Sequence, residues 1–135
     1  MDINTLVEER RELWLTLAPL WLDREPGERD YARMVGVIQR SGLTFKQLEW
    51  IFRLELAPVL SRHQMSVAGE WRAFNEERLL RQLVAHNRRL IGWRRQCWAL
   101  FSGLTTMMTR HRWQELIMRV QLAQDEAALD AERAD

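Results

Sequence analysis

Large apolar side chains recur along this chain at steps of three and four residues, the spacing of one face of an α-helix. The pattern is plainest over residues 45–59, and Thr44 with Gln47 forms a capping box at its start. No run alternates between apolar and polar residues with the period of two that a half-buried strand requires. The sequence therefore predicts an all-α fold, a compact irregular bundle of five to six helices.

Residues that favour helix ends divide the first half of the chain. Thr5 with Glu8 is a second capping-box pattern and predicts the start of the first helix. Gly42 predicts a left-handed residue that ends the second helix. Pro58 predicts that the third helix ends at residue 57, because the residue before a proline is disfavoured in helical geometry.

Further signals mark the remaining segments. Pro19 predicts a kink or an end of the first helix near residue 18. Ser66 is a candidate cap of a short helix, and Asn75 is a candidate cap before two glutamates. Thr105 or Thr106 is expected to cap the last helix.

Two apolar stripes in the second half are expected to complete the core. The first comprises Leu79, Leu80, Leu83, Val84, Leu90, Ile91, Cys97, Trp98, Leu100 and Phe101, and the second Met107, Met108, Trp113, Leu116, Ile117 and Val120. Gly92 interrupts the first stripe and is its weakest position.

A length of 135 residues indicates one domain, which we place at residues 1–123, and a change of composition near residues 86–87 is compatible with a boundary there. Residues 124–135 form an acidic tail that is expected to fray. The single Cys97 and the acidic start of the chain predict a cytoplasmic protein. The longest uncharged apolar run, residues 96–109, is too short to span a bilayer.

The net charge of +1 is near zero, but its distribution along the chain is uneven. Residues 1–77 carry ten basic and thirteen acidic side chains, residues 78–119 nine basic and one acidic, and residues 120–135 one basic and five acidic. The basic middle segment predicts a binding surface for an anionic partner. Neutralisation by Glu8, Glu9 and Glu12 or by Asp125 and Glu126 is the rival interpretation.

Exposed tryptophan and arginine are enriched where protein partners bind. Six residues are candidates for partner contact: Arg88, Arg89, Trp93, Arg94, Arg95 and Trp50. The sequence is thus interpreted as a non-enzymatic binding protein that occludes or regulates a protein partner, for example a toxin- or effector-neutralising immunity protein or a regulator. Association with further copies of the chain is left open.

A DNA-binding regulator is the alternative. The segment 35–53 matches the spacing of a helix-turn-helix, in which Thr44, Lys46, Gln47 and Arg53 would face the major groove or the phosphates. The net acidity of residues 1–77 opposes this interpretation, because it repels phosphate.

Three other classes have less support in the sequence: an enzyme, a metal-binding protein and a protein that binds a membrane surface. No motif for catalysis or for a cofactor is found, and His63, His86 and His111 lie too far apart for a local metal site. An amphipathic helix pressed onto an anionic membrane ranks last, because Cys97 and Leu100 are expected to be needed in the core.

Several short sequences resemble a small uncharacterised bacterial domain family. They are residues 11–15 (RELWL), 22–23 (LD), 41–43 (SGL), 55–60 (ELAPVL), 66–71 (SVAGEW) and Phe74. The resemblance covers about residues 10 to 80 and implies a shared fold without an established activity. The segment after His86 departs from the family pattern.

Overall fold

The structure, a computed structural model, describes residues 3–21, 25–64 and 76–134, and this part of the chain contains seven helices and no strand. They are α1 (Ile3–Leu17, continued by a 3-10 turn, Ala18–Trp21), α2 (Glu28–Ser41), α3 (α-helical Phe45–Trp50, π-helical Ile51–Leu56 and α-helical Ala57–Gln64), α4 (Glu76–Arg88), α5 (Gly92–Leu100), α6 (Ser102–Thr105) and α7 (Arg110–Ala134). The all-α prediction is confirmed, with seven helices in place of five to six.

The turn between α2 and α3 forms as its sequence predicts. Gly42 has a φ of 68° and ends α2 in the left-handed conformation. The Thr44 hydroxyl accepts a hydrogen bond from the Gln47 backbone N–H at 3.1 Å, and the Gln47 side chain accepts one from the Thr44 N–H at 2.9 Å. Two backbone donors at the start of α3 are thereby satisfied.

The predicted cap at Thr5 is wrong. The first helix begins at Ile3, so Thr5 lies exposed within its first turns. The predicted caps at Ser66 and Asn75 lie outside the described residues.

Thr105 and Thr106 do not cap the last helix, which begins at Arg110. The Thr106 side chain is buried and bonds to the preceding turn. Thr109 accepts the first backbone hydrogen bond of α7, from Trp113 at 2.9 Å. The threonines therefore belong to the connection between α6 and α7, and α7 starts about one turn after the predicted cap.

Pro58 does not end α3, contrary to prediction. The π-helical segment precedes it, and the Ala57 N–H donates to the Phe52 carbonyl five residues back. In an α-helix the carbonyl of Leu54 would accept the N–H that proline lacks. The ring nitrogen Nε2 of His86 on α4 lies 2.8 Å from this carbonyl and donates to it, since a carbonyl only accepts.

Aromatic rings fill the centre of the bundle. Phe52 stacks on Trp113 with a centroid separation of 4.4 Å and lies 5.4 Å from the ring of Trp21. The indole N–H of Trp113 donates to the Glu49 carboxylate at 2.6 Å, which satisfies its one buried polar atom. Helix α3 thus lies at the centre of the core, and other helices pack around it.

Helix α7 packs along α2 and is held there by one arginine. The guanidinium of Arg119 donates twice to the Glu28 carboxylate, at 2.7 and 2.9 Å, and once to Glu115 at 3.0 Å. It also lies 4.4 Å from the ring centroid of Tyr31. Helix α7 continues to Ala134, and every side chain of residues 124–134 is exposed; fraying of residues 124–135 stays a prediction.

The apolar stripe predicted over residues 79–101 is wrong in its second part, from Ile91 onward. Cys97, Leu100 and Phe101 are exposed, as is Ile91, and α5 has no buried residue. The chain turns between α4 and α5, and Gly92 takes a φ of 56°. This turn breaks the helical register, so the buried face of α4 does not continue into α5. Met107 and Met108 are also exposed.

Candidate partner-binding surface

Residues 88–108 form a surface that is both basic and apolar, called here the basic apolar surface. Seven large apolar residues in it have an exposed fraction between 54% and 80%: Ile91, Trp93, Leu100, Phe101, Leu104, Met107 and Met108. A surface with this many exposed apolar side chains is typical of an interaction site, whereas single exposed apolar residues are common on any protein surface.

The outer face of α5 is a ridge. Trp93, Cys97 and Leu100 follow each other at helical spacing, so they lie on one side of the helix. Trp93 is 70% exposed and Leu100 is 80% exposed. Only Trp98 and Ala99 of this helix are partly covered. The body of the protein therefore supports α5 on one side and leaves the ridge in solvent.

Four arginines belong to the basic apolar surface, and all are exposed: Arg88, Arg89, Arg94 and Arg95. Within the described part of the chain no ion pair joins them to a carboxylate. Glu12 pairs with Arg40 at 3.0 Å instead. Asp125 and Glu126 lie exposed at the end of α7. In the described part of the chain, none of the carboxylates of the rival interpretation therefore forms an ion pair with these four arginines.

A groove of about 500 Å³ lies between α3 and α5. It is lined by Trp50, Leu54, Gly92, Arg95, Gln96 and Ala99. Trp50 also lines a second groove of about 300 Å³, together with Arg10, Lys46, Gln47, Ile51, Glu55 and Arg95. The structure thereby brings together Trp50 and Arg95, two of the six candidate residues, although 45 positions separate them.

A third groove of about 470 Å³ lies between α4 and α5. Its lining residues are Val59, Gln82, Ala85, His86, Arg89, Arg94 and Trp98. The rings of His86 and Trp98 meet edge to face at 5.6 Å and join α5 to α4. Arg94 therefore lines the groove between α4 and α5, whereas Arg95 lines the groove between α3 and α5.

Glu55 is the carboxylate at the edge of this surface. Its Oε1 accepts a hydrogen bond from the Trp14 indole at 2.9 Å and lies 3.4 Å from Nε of Arg10. Burial raises the pKa of the Glu55 carboxyl, and the Trp14 hydrogen bond and the charges of Arg10 and Arg95 oppose that rise. Glu55 therefore links α3 to α1, although its burial makes the ionised carboxylate less stable than it is in water.

Replacing Glu55 with glutamine is expected to make stability less dependent on pH. The unfolded carboxyl ionises near 4.5 and the folded one at higher pH, so the folded state binds an extra proton between the two pKa values. Stability then falls as pH rises through that window. Glutamine retains an acceptor for Trp14 and removes the titration.

Thermal unfolding of both proteins between about pH 4.5 and 7 measures this difference. Glu12→Gln is the control, because the Glu12 carboxylate is 69% exposed and pairs with an equally exposed arginine. Equal slopes for wild type and Glu55→Gln would contradict the role given to Glu55.

Three of the four residues of the DNA-binding alternative have partners within the chain. Thr44 and Gln47 form the capping box. Arg53 pairs with Glu49 at 2.7 Å and donates to the Ser102 hydroxyl at 3.0 Å. Lys46 is exposed beside the second groove. The segment 35–53 has two helices joined by a turn, but its polar side chains mainly serve the fold.

Sequence reasoning assigned Ile91, Leu100, Phe101, Met107 and Met108 to the core and did not consider Leu104 or Arg10. A signal for the first five was present, because residues 79–114 contain no aspartate or glutamate. A helical segment that is apolar and basic, without acids to solvate it, fits an interface better than a core.

No cluster of three or more potential metal ligands occurs among the described residues. None of the helices described is long and apolar enough to cross a membrane.

The described part of the chain is a small all-α bundle with one exposed segment that is both basic and apolar. The chain belongs to the family described as a domain of unknown function, DUF7079, whose model matches residues 8–119. This confirms the resemblance to an uncharacterised family and extends it. The segment after His86 was expected to depart from the family pattern, but its residues 87–119 lie within the match. No curated protein and no solved structure matches the chain.

Proposed function

We propose that this protein is a non-enzymatic binding protein that recognises an acidic surface of a protein partner through the basic apolar surface. By covering that partner it would act as a regulator or as an immunity-type protein that neutralises a toxin or effector. The observation that supports this most directly is the exposure of α5, a helix with no buried residue, next to exposed arginines that form no ion pair with a carboxylate in the described part of the chain.

Two physical effects favour such binding. Burying apolar surface contributes about 25 cal/mol per Å², and the ridge offers Trp93 and Leu100 for this purpose. Arginine and tryptophan contribute most where they become desolvated at the centre of an interface. The guanidinium carbon of Arg94 lies 5.3 Å from the Trp93 ring centroid, so cation and aromatic ring are already close together.

A protein partner fits the relief of the surface better than a membrane or DNA. Grooves of about 470 and 500 Å³ flank α5, and these accept individual side chains. The prediction that Cys97 and Leu100 are needed in the core, which opposed binding to a membrane, is wrong because both residues are exposed. A flat bilayer would nevertheless leave both grooves unfilled. The DNA alternative is supported only by Lys46 among its four residues.

Reversing two arginine charges is expected to abolish partner capture without unfolding the protein. Arg94→Glu with Arg95→Glu places two negative charges against an acidic partner, which slows association and weakens binding. Stability should change by less than about 0.5 kcal/mol per exposed position. The measurement is affinity purification from the native host, followed by binding kinetics of the captured protein and thermal unfolding of both baits.

Arg29→Glu with Arg33→Glu is the matched control, because it makes the same charge change at two exposed positions of α2. Since Arg95 acts on the carboxyl of Glu55, Arg88→Glu with Arg89→Glu serves as a second variant away from that group. Equal capture by all baits would contradict the proposal. Retention of DNA that Lys46→Ala weakens would favour the regulator alternative, and binding to anionic vesicles without a protein would favour the membrane.

A further inference from the structure

Helix α7 has apolar residues on two opposite sides. Trp113, Leu116 and Val120 are buried in the core. Met118, Leu122 and Leu129 are 52–57% exposed. At about 100° per residue, these three lie within about 40° of one another and roughly 180° from the buried face. The body of the same chain covers only the first side.

The exposed apolar side continues into an acidic end. Between residues 124 and 134 the helix carries Asp125, Glu126, Asp130 and Glu132 against one basic residue, Arg133. Every side chain of this segment is exposed. Asp125 falls on the same side as the three apolar residues, because it lies seven positions after Met118 and four before Leu129. We call residues 118–134 the acidic apolar helix.

This helix has the charge and hydropathy that complement the basic apolar surface. One carries exposed apolar side chains among acids, and the other carries exposed apolar side chains among arginines. Both are exposed in the same chain, so neither covers the other within one copy. The complement of each surface is present at equal stoichiometry on a second copy.

We infer that the acidic apolar helix of one copy docks on the basic apolar surface of a second copy, and the reverse, in a two-fold symmetric dimer. A two-fold axis makes the contact twice, so two helices are covered with one type of contact. Leu122 and Leu129 then pack against the ridge of Trp93 and Leu100, and Asp125 and Glu126 meet Arg94 and Arg95. The dimer does not depend on the proposed partner, which would compete for the same surface.

The mass of the purified full-length chain in solution tests this inference, by sedimentation velocity over a range of protein concentrations. Wild type is expected to dimerise. Arg94→Glu with Arg95→Glu gives a chain with two acidic surfaces, and Asp125→Arg with Glu126→Arg gives one with two basic surfaces. Each variant alone is expected to lose the dimer.

Mixing the two variants at equal concentration is expected to restore a dimer. In the mixed pair, each reversed surface meets a surface of opposite charge, so both contacts become complementary. Leu129→Asp tests the apolar part and should also give monomers, whereas Arg29→Glu with Arg33→Glu should dimerise like wild type.

A monomeric wild type at every concentration would overturn the inference, as would a dimer that the reversals do not weaken or a mixture that stays monomeric. These results are independent of partner capture. A monomeric protein whose capture still requires Arg94 and Arg95 would retain the proposed function and exclude the dimer.

Discussion

Replacing Phe52 with alanine is expected to lower the free energy of unfolding by about 3–5 kcal/mol. The Phe52 side chain is fully buried and lies between the rings of Trp21 and Trp113. Its removal forfeits the transfer free energy of the ring and leaves a cavity, because two large indoles cannot easily move together. Urea denaturation followed by circular dichroism measures the change.

Phe45→Ala is the matched control for this substitution. Phe45 lies on the same helix but is 37% exposed, so its truncation removes less buried area. We expect the control to cost much less than the Phe52 variant. A loss below about 1 kcal/mol for Phe52→Ala would show that the stacked rings do not form the centre of the core.

The parts of the fold that the sequence predicts correctly depend on neighbouring residues. Gly42, Thr44 and Gln47 form the turn before α3 with bonds that span three residues or fewer. Such bonds involve short-range chemistry, so their residue types alone indicate the structure. The continuation of α3 through Pro58 is different, because it uses His86, which is 32 residues beyond the carbonyl it satisfies.

Apolar periodicity predicts which side of a helix is apolar, but it does not tell whether anything covers that side. Leu116 and Val120 of the last predicted stripe are fully buried, whereas Leu100 of the preceding one is 80% exposed. The difference arises at the turn around Gly92, where α5 leaves the direction of α4. Since a sequence pattern specifies no direction after a turn, the surface of α5 was mistaken for core.

The candidate site also has one part that the sequence predicts and another part that it does not. The absence of acids over residues 79–114 is visible in the sequence and predicts the position of the basic apolar surface. The groove that Trp50 shares with Arg95 joins two helices far apart in the chain. Only the packing of α5 on α3 creates it, so no local pattern predicts the groove.

Trp93→Ala is expected to weaken binding of the protein partner by about 30-fold or more, which corresponds to at least about 2 kcal/mol. Trp93 is 70% exposed on the ridge and has Arg94 against its ring. A large rigid ring in this position buries the most apolar area for the least loss of side-chain entropy when a partner covers it. The free energy of unfolding should change little, because the ring has few contacts in the free protein.

The measurement is the dissociation constant of the purified complex for wild type, Trp93→Ala and the control Phe45→Ala, with unfolding curves of all three chains. The loss should occur mainly in the dissociation rate, since truncation removes short-range contacts and leaves the charges that steer association. Charge reversal at Arg94 and Arg95 should instead reduce the association rate. If Trp93→Ala binds like wild type while the arginine variant does not, the partner contacts the flanks of α5 and not its ridge.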